Sequence, residues 1–282
     1  MSVFDYASAM GTDLAQQWAA QGYQLEGLPE LALTVMDSYD PVHNLPLESV
    51  VRDVATFEGD LPTQRASGRN FGHPPLTLWN DPDGHFFIEM YLWSSTDMTI
   101  HSHPFTGAFA VLAGECVNEV FEFQRDGGSA DLQLGMLEQS ASETLVPGDA
   151  RAITNGSSFI HRNLHMSRPT ATFIIRTLGD GSNGLIYDEA GIALDPSLTP
   201  IQYKQLQFLE GLLRLPDLSV GRSYLQRIMK GDPSVSMSYQ SIDLLLRKTQ
   251  DPGAAEGLFK HFHGLPDPDQ QRLRNVLEGH LK

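Results

Sequence analysis

Thr99-Ile-His-Ser-His-Pro-Phe-Thr-Gly-Ala-Phe-Ala-Val-Leu-Ala-Gly114 is the stretch whose reading decides the fold. Its residues alternate and are rich in β-branched and aromatic types, so it predicts strands, and on a strand His101 and His103 leave the same face. Two neutral imidazoles converging on one point suit a borderline divalent metal. The same spacing recurs at His261 and His263 on a predicted helix, where positions two apart do not face each other, so that pair reads as structural.

Outward from this stretch the period of two persists. Residues 85–93 alternate His85, Phe87, Glu89, Tyr91 and Trp93 on one face with Phe86, Ile88, Met90 and Leu92 on the other. Further strand-like runs fall at 97–103, 107–113, 115–124, 131–138, 142–146, 150–154, 159–165 and 170–178, parted by Gly, Asp, Ser or Pro turns. Eight or more short strands at close spacing argue a jelly-roll barrel or sandwich rather than a βαβ sheet.

Both flanks read as helical. Tyr6, Met10, Leu14 and Trp18 form one stripe of a helix over 5–22, and a shorter helix is expected at 27–40. Pro41, Pro46, Gly59 and Pro62 then mark an irregular region, and 67–75 is loop chemistry. After Pro196 the period returns to 3.6: helices are expected at 201–214, around Val220 to Met229, around Tyr239 to Leu246, at 254–263, and around Leu273 to Leu281 behind Asp267-Pro268. The expected organisation is a helical and irregular segment at 1–69, a barrel at 70–195 and a helical region at 196–282.

Charge supports a boundary near 200. Residues 1–199 carry 8 Arg, no Lys and 26 Asp or Glu, whereas 200–282 are almost balanced. The net charge of −16 opposes binding to nucleic acid or an anionic membrane surface. No long apolar run or basic leader is read, so a cytoplasmic location is expected. Cys116 is the single cysteine, which excludes an intrachain disulfide and a cysteine-based zinc site and fits a small buried hydrophobe. Any metal must be held by His and carboxylate, and the remaining Asp and Glu runs read as solvated faces.

A second loaded stretch follows: Val146-Pro-Gly148-Asp149, then Gly156, then His161-Arg-Asn-Leu-His165. Together the two stretches resemble the cupin superfamily over roughly residues 76–178. His101, His103 and Gly114 fit its first motif, with Gly107 where the family places a Glu ligand. Gly148 and Gly156 fit the second, Thr154 replaces its Pro, His161 comes two residues late, and His165 stands where Asn is usual. The resemblance implies a cupin barrel with His101, His103 and His161 as metal ligands. His165 would be either a supporting hydrogen-bond donor or the ligand itself if His161 were displaced.

Three imidazoles without a carboxylate leave the full dipositive charge on the metal, favouring anionic ligands. Among cupins this arrangement is similar to that of the thiol dioxygenases. It implies Fe(II), with Zn, Mn or Ni as alternatives, and a non-haem dioxygenase using O2 on a small anionic substrate that binds the metal directly. A redox-neutral isomerase or lyase and a non-catalytic small-molecule-binding cupin are the other readings. Thiol dioxygenases carry Ser, His and Tyr where this chain has Thr172, Ile174 and Arg176, so the substrate stays open. Arg176, pointing inward, could grip a carboxylate. Tyr91 is the preferred hydrogen-bond donor to O2 or substrate; the face it shares with Glu89 and Trp93 is either barrel lumen or an outer face under the terminal helices. Arg65 and Arg69 could close over an anionic substrate. Because cupin barrels often pair through their sheets, a homodimer with contributing helices is expected.

Overall fold

The computed structural model describes residues 2–56, 62–64, 75–93, 99–179 and 184–279. The strand-like residues 97 and 98, the loop at 67–74, Arg65 and Arg69, and Leu281 lie outside these. The chain divides into two compact units, one of residues 1–122 and 138–184, the other of 123–137 and 185–282. Among the described residues no helix is long and apolar enough to cross a membrane.

In the first unit, α1 (Val3–Ala20) begins at Ser2, whose hydroxyl accepts from the Asp5 amide at 3.1 Å while Asp5 accepts from the Ser2 amide at 3.2 Å. Its stripe of Tyr6, Met10, Leu14 and Trp18 is buried. After α2 (Leu28–Tyr39), the region expected to be irregular contains two further helices, α3 (Pro41–Asn44) and α4 (Leu47–Thr56). The reason is positional: Pro41 occupies the first turn of α3, and the Pro46 carbonyl accepts from the amides of Ser49 and Val50, so these prolines open helices instead of breaking them.

The helices cover a five-stranded antiparallel sheet. Its strands are β1 (Leu76–Asn80), β2 (Phe86–Trp93), β4 (Gly107–Ala113), β7 (Ala150–Ile153) and β9 (Thr170–Thr177), in the order β1-β2-β9-β4-β7. Alternation assigns the two faces. Phe86, Ile88, Met90, Ala108, Ala110, Leu112, Phe173 and Ile175 pack with α1 and α2 in one buried cluster. Phe109, Val111 and Ile174, on the opposite face, join Cys116, Leu145 and Ile153 in another, with Tyr91, Phe105 and Phe159 packed against it. The face carrying Glu89, Tyr91 and Trp93 is therefore the interior between the sheets.

The second antiparallel sheet uses β3 (Ile100–His103), β5 (Cys116–Gly128), β6 (Leu132–Leu145) and β8 (Gly156–His165), in the order β6-β5-β8-β3. The two strands expected at 131–138 and 142–146 are this one fourteen-residue strand. Its middle is polar and exposed, so no apolar alternation announced its continuity. Two antiparallel sheets enclosing an apolar interior, with helices before and after them in the chain, make a jelly-roll fold.

In the second unit, the start of β6 pairs with β11 (Ile192–Leu194), which pairs with β10 (Ile186–Asp188). Around them α5 (Pro200–Leu212), α6 (Leu218–Lys230), α7 (Val235–Thr249) and α8 (Asp267–Gly279) bury a cluster that includes Leu209, Leu225, Ile242, Leu246, Phe262 and Leu273. The expected helix at 254–263 is two short 3-10 turns, Pro252–Ala255 and Phe259–Phe262; Gly257, at φ +73°, sits between them in a conformation that ends a helix.

Candidate metal centre

Strand pairing assembles the histidines. His101 lies directly opposite His161 across the β3–β8 ladder, and His103 follows on the same face of β3. A register shift after Ser102, which sets His103 opposite Gly156, re-aims the end of β3. One nitrogen from each of the three imidazoles lies within 4.8 Å of the others, and Nε2 of His103 is 2.9 Å from Nε2 of His161. Two nitrogens each about 2.0–2.1 Å from a common ion and at right angles to it stand about 2.9 Å apart, so this pair fits a shared metal.

Protonation suits the same role. Burial, reinforced by the neighbouring histidines, holds His103 well below the usual histidine range, and burial with the influence of His101 does the same for His161. Both are neutral at pH 7, the ligand form. His101 Nδ1 donates to the Thr99 carbonyl at 3.0 Å, which fixes the orientation of its ring. The donor set fits a divalent transition metal.

Gly107 leaves no room for the carboxylate that the sequence resemblance would place there. It lies between Ile153 of β7 and Arg176 of β9, and a Cβ there would stand 1.9 Å from the Ile175 carbonyl oxygen and 2.8 Å from Arg176 Cα. Strand spacing at this point admits no side chain, and the three-imidazole character belongs to the backbone as well as to the residue.

The other named residues sit on neighbouring strands. Arg176 Nε donates to Glu89 Oε2 at 2.9 Å, and its guanidinium lies over the rings of Phe87 at 4.3 Å and Phe105 at 4.7 Å. Glu89, wholly buried, is thus a lumen carboxylate that pairs with the arginine. The Tyr91 hydroxyl is pushed up to about 12 by burial, opposed by the Arg176 charge, and keeps its proton at neutral pH. Trp93 stacks between Tyr91 and His165, with ring centroids 5.3 Å and 4.5 Å away, and its indole donates to Thr172 at 3.0 Å. His165 is buried against Trp93 and is not part of the three-histidine group. Phe105, 4.7 Å from the His103 ring, also borders a cavity of about 240 Å³ shared with Trp18, Tyr23, His85 and Leu178.

Three further residues reach the centre without any signal in the sequence pattern. Asn118 on β5 meets His161 Nδ1 through its Oδ1 at 2.9 Å, and its amide nitrogen donates to Glu143 Oε1 at 3.1 Å. Arg151 on β7 donates to Glu143 on β6 from one guanidinium edge, through Nε at 2.8 Å and through Nη2. That pairing, with help from Asn118, holds the Glu143 carboxyl below the usual range. Each residue alone looks like a polar position on a half-exposed strand, so nothing in the sequence flagged it.

No family model matches the sequence, and no curated protein matches it. Among solved structures the chain is similar to a sugar phosphate isomerase from a cupin superfamily of Silicibacter pomeroyi, at 18% identity over 42% of this chain and 73% of that one, TM-score 0.26. It is similar to a DMSP lyase from Ruegeria pomeroyi at 15% identity, over 49% of this chain and 64%, just under two thirds, of the lyase, TM-score 0.31. It is also similar to a hydroquinone 1,2-dioxygenase from Sphingomonas, solved with 4-hydroxybenzoate bound, at 12% identity over 39% and 68%, TM-score 0.29.

Proposed function

We propose that the chain is a mononuclear non-haem Fe(II) oxygenase or dioxygenase acting on a small anionic substrate. The observation that carries this reading is the group of three histidines, His101, His103 and His161, beside a glycine where no carboxylate can stand. Fe(II) bound there would supply open coordination positions and single-electron chemistry with O2. The histidines contribute no negative charge, so the substrate supplies it. Glu89 orients Arg176 between Phe87 and Phe105, and Tyr91 offers a phenolic proton that burial keeps in place. Phe109, Val111 and Ile174 exclude water from the interior on that side.

A second reading, a redox-neutral isomerase or lyase using Zn, Mn or Ni as Lewis acid, draws on the buried Glu89 and Tyr91 as proton-transfer groups on one strand face. Oxygen consumption by protein loaded anaerobically with Fe(II), offered a panel of thiols, small carboxylates and phenols, separates the two. The proposal expects uptake that requires iron and disappears in His103→Ala with the fold intact. Turnover of the same substrate without O2 would overturn it in favour of the second reading.

A further inference from the structure

The line of hydrogen bonds from His161 through Asn118 and Glu143 to Arg151 runs β8, β5, β6, β7, and therefore passes from one sheet to the other. Its chemistry leaves one arrangement. A carboxylate only accepts, so the Asn118 group facing Glu143 must be the NH2, and the group facing His161 must be the carbonyl oxygen. Arg151 keeps Glu143 ionised and aimed, which stops the amide from turning over. A carbonyl oxygen also only accepts, so His161 Nδ1 must carry the hydrogen, and its Nε2 presents a lone pair towards His103.

We infer that Asn118, held by Glu143 and Arg151, is a positioning residue that locks His161 in its Nδ1-protonated tautomer and so keeps Nε2 available as a ligand. Asn118 is 1% exposed, so water has little access to stand in for it. The lock's use rests on the metal-centre reading; the tautomer itself does not. Outer partners of this kind change metal affinity by about 10–100-fold when removed.

Nitrogen NMR on the metal-free protein labelled at histidine, with the His161 signal assigned by its loss in His161→Ala, reads the tautomer directly. The wild type is expected to carry hydrogen on Nδ1. Asn118→Leu should shift His161 to a mixture containing the Nε2-protonated form and weaken Co(II) binding about 10–100-fold, whereas Asn118→Asp, which keeps an acceptor, should retain the wild-type tautomer. Glu143→Ala, which frees the amide to turn, should give a smaller shift in the same direction and serves if Asn118→Leu fails to fold. A wild-type His161 protonated on Nε2, or a tautomer unchanged in both Asn118→Leu and Glu143→Ala, would overturn the lock. Wild-type protein that binds no Co(II) while showing the stated tautomer would instead overturn the metal reading.

Discussion

His101 and His103 share their spacing with His261 and His263, yet the two pairs have different surroundings. The first pair lies on β3, where a period of two sends both rings to one side and the neighbouring strand delivers His161 opposite. The second lies at the end of a 3-10 turn, where His263 Nδ1 bonds the Lys260 carbonyl at 3.0 Å and, among the described residues, no third ligand joins them in a metal-sized group. A histidine pair gains meaning from the backbone period beneath it and from the strand that lies beside it.

Removing one of the proposed ligands should break the contrast most severely. His103→Ala or His161→Ala is expected to weaken metal binding by more than about 100-fold, the upper end for losing a mere supporting partner, measured by Co(II) titration. Circular dichroism would check that the fold persists. Binding within a few-fold of wild type would detach these residues from the site.

Next in size is an attempt to add a carboxylate beside the three histidines. Gly107→Glu would put a carboxylate on β4 next to Arg176 of β9, but the Ile175 carbonyl oxygen would stand only 1.9 Å from its Cβ. The variant is expected to lose about 2–3 kcal/mol through overpacking and a displaced ladder, read by urea unfolding, with no gain in metal affinity. A stable protein with tighter metal binding would show that the strand spacing does not dictate the donor set.

Acid should act chiefly through the first pair, although burial lowers His261 as well. Because burial depresses His103 and His161 in the folded protein, the unfolded chain takes up protons first as pH falls below about 6.5. Stability of the metal-free protein should therefore fall with decreasing pH below that point, by up to about 1.4 kcal/mol per pH unit for each histidine, and level off above it. Unfolding curves from pH 7 to 5 should be shallower for His161→Ala. The smallest effects belong to His261→Gln and His263→Gln, expected to leave metal binding within about 2-fold and stability within about 0.5 kcal/mol. A hundred-fold loss of metal binding in either would reverse the comparison.

Much of the fold was readable because its residues obey a period. Phe86, Ile88 and Met90 against Phe87, Glu89 and Tyr91 separate the faces of β2 by alternation alone, and the α1 stripe marks the buried side of that helix. What escaped lacked such a signal. Pro41 and Pro46 look like breakers until their place at helix starts is known, and β10 and β11 are three residues each. The centre divides the same way. His101, His103 and His161 carry a motif, whereas Asn118, Glu143 and Arg151 lie on three strands whose adjacency is set by pairing far apart in sequence. The absent carboxylate at Gly107 was visible as a letter; its cause is a contact between strands.

X-ray absorption on protein loaded with one equivalent of Fe(II) tests the central claim most directly. Scattering from three imidazoles bound to one ion, reduced to two in His161→Ala and unchanged in His261→Gln, is the predicted result. An ion held mainly by carboxylate oxygens, or a wild-type protein that retains no iron, would contradict it.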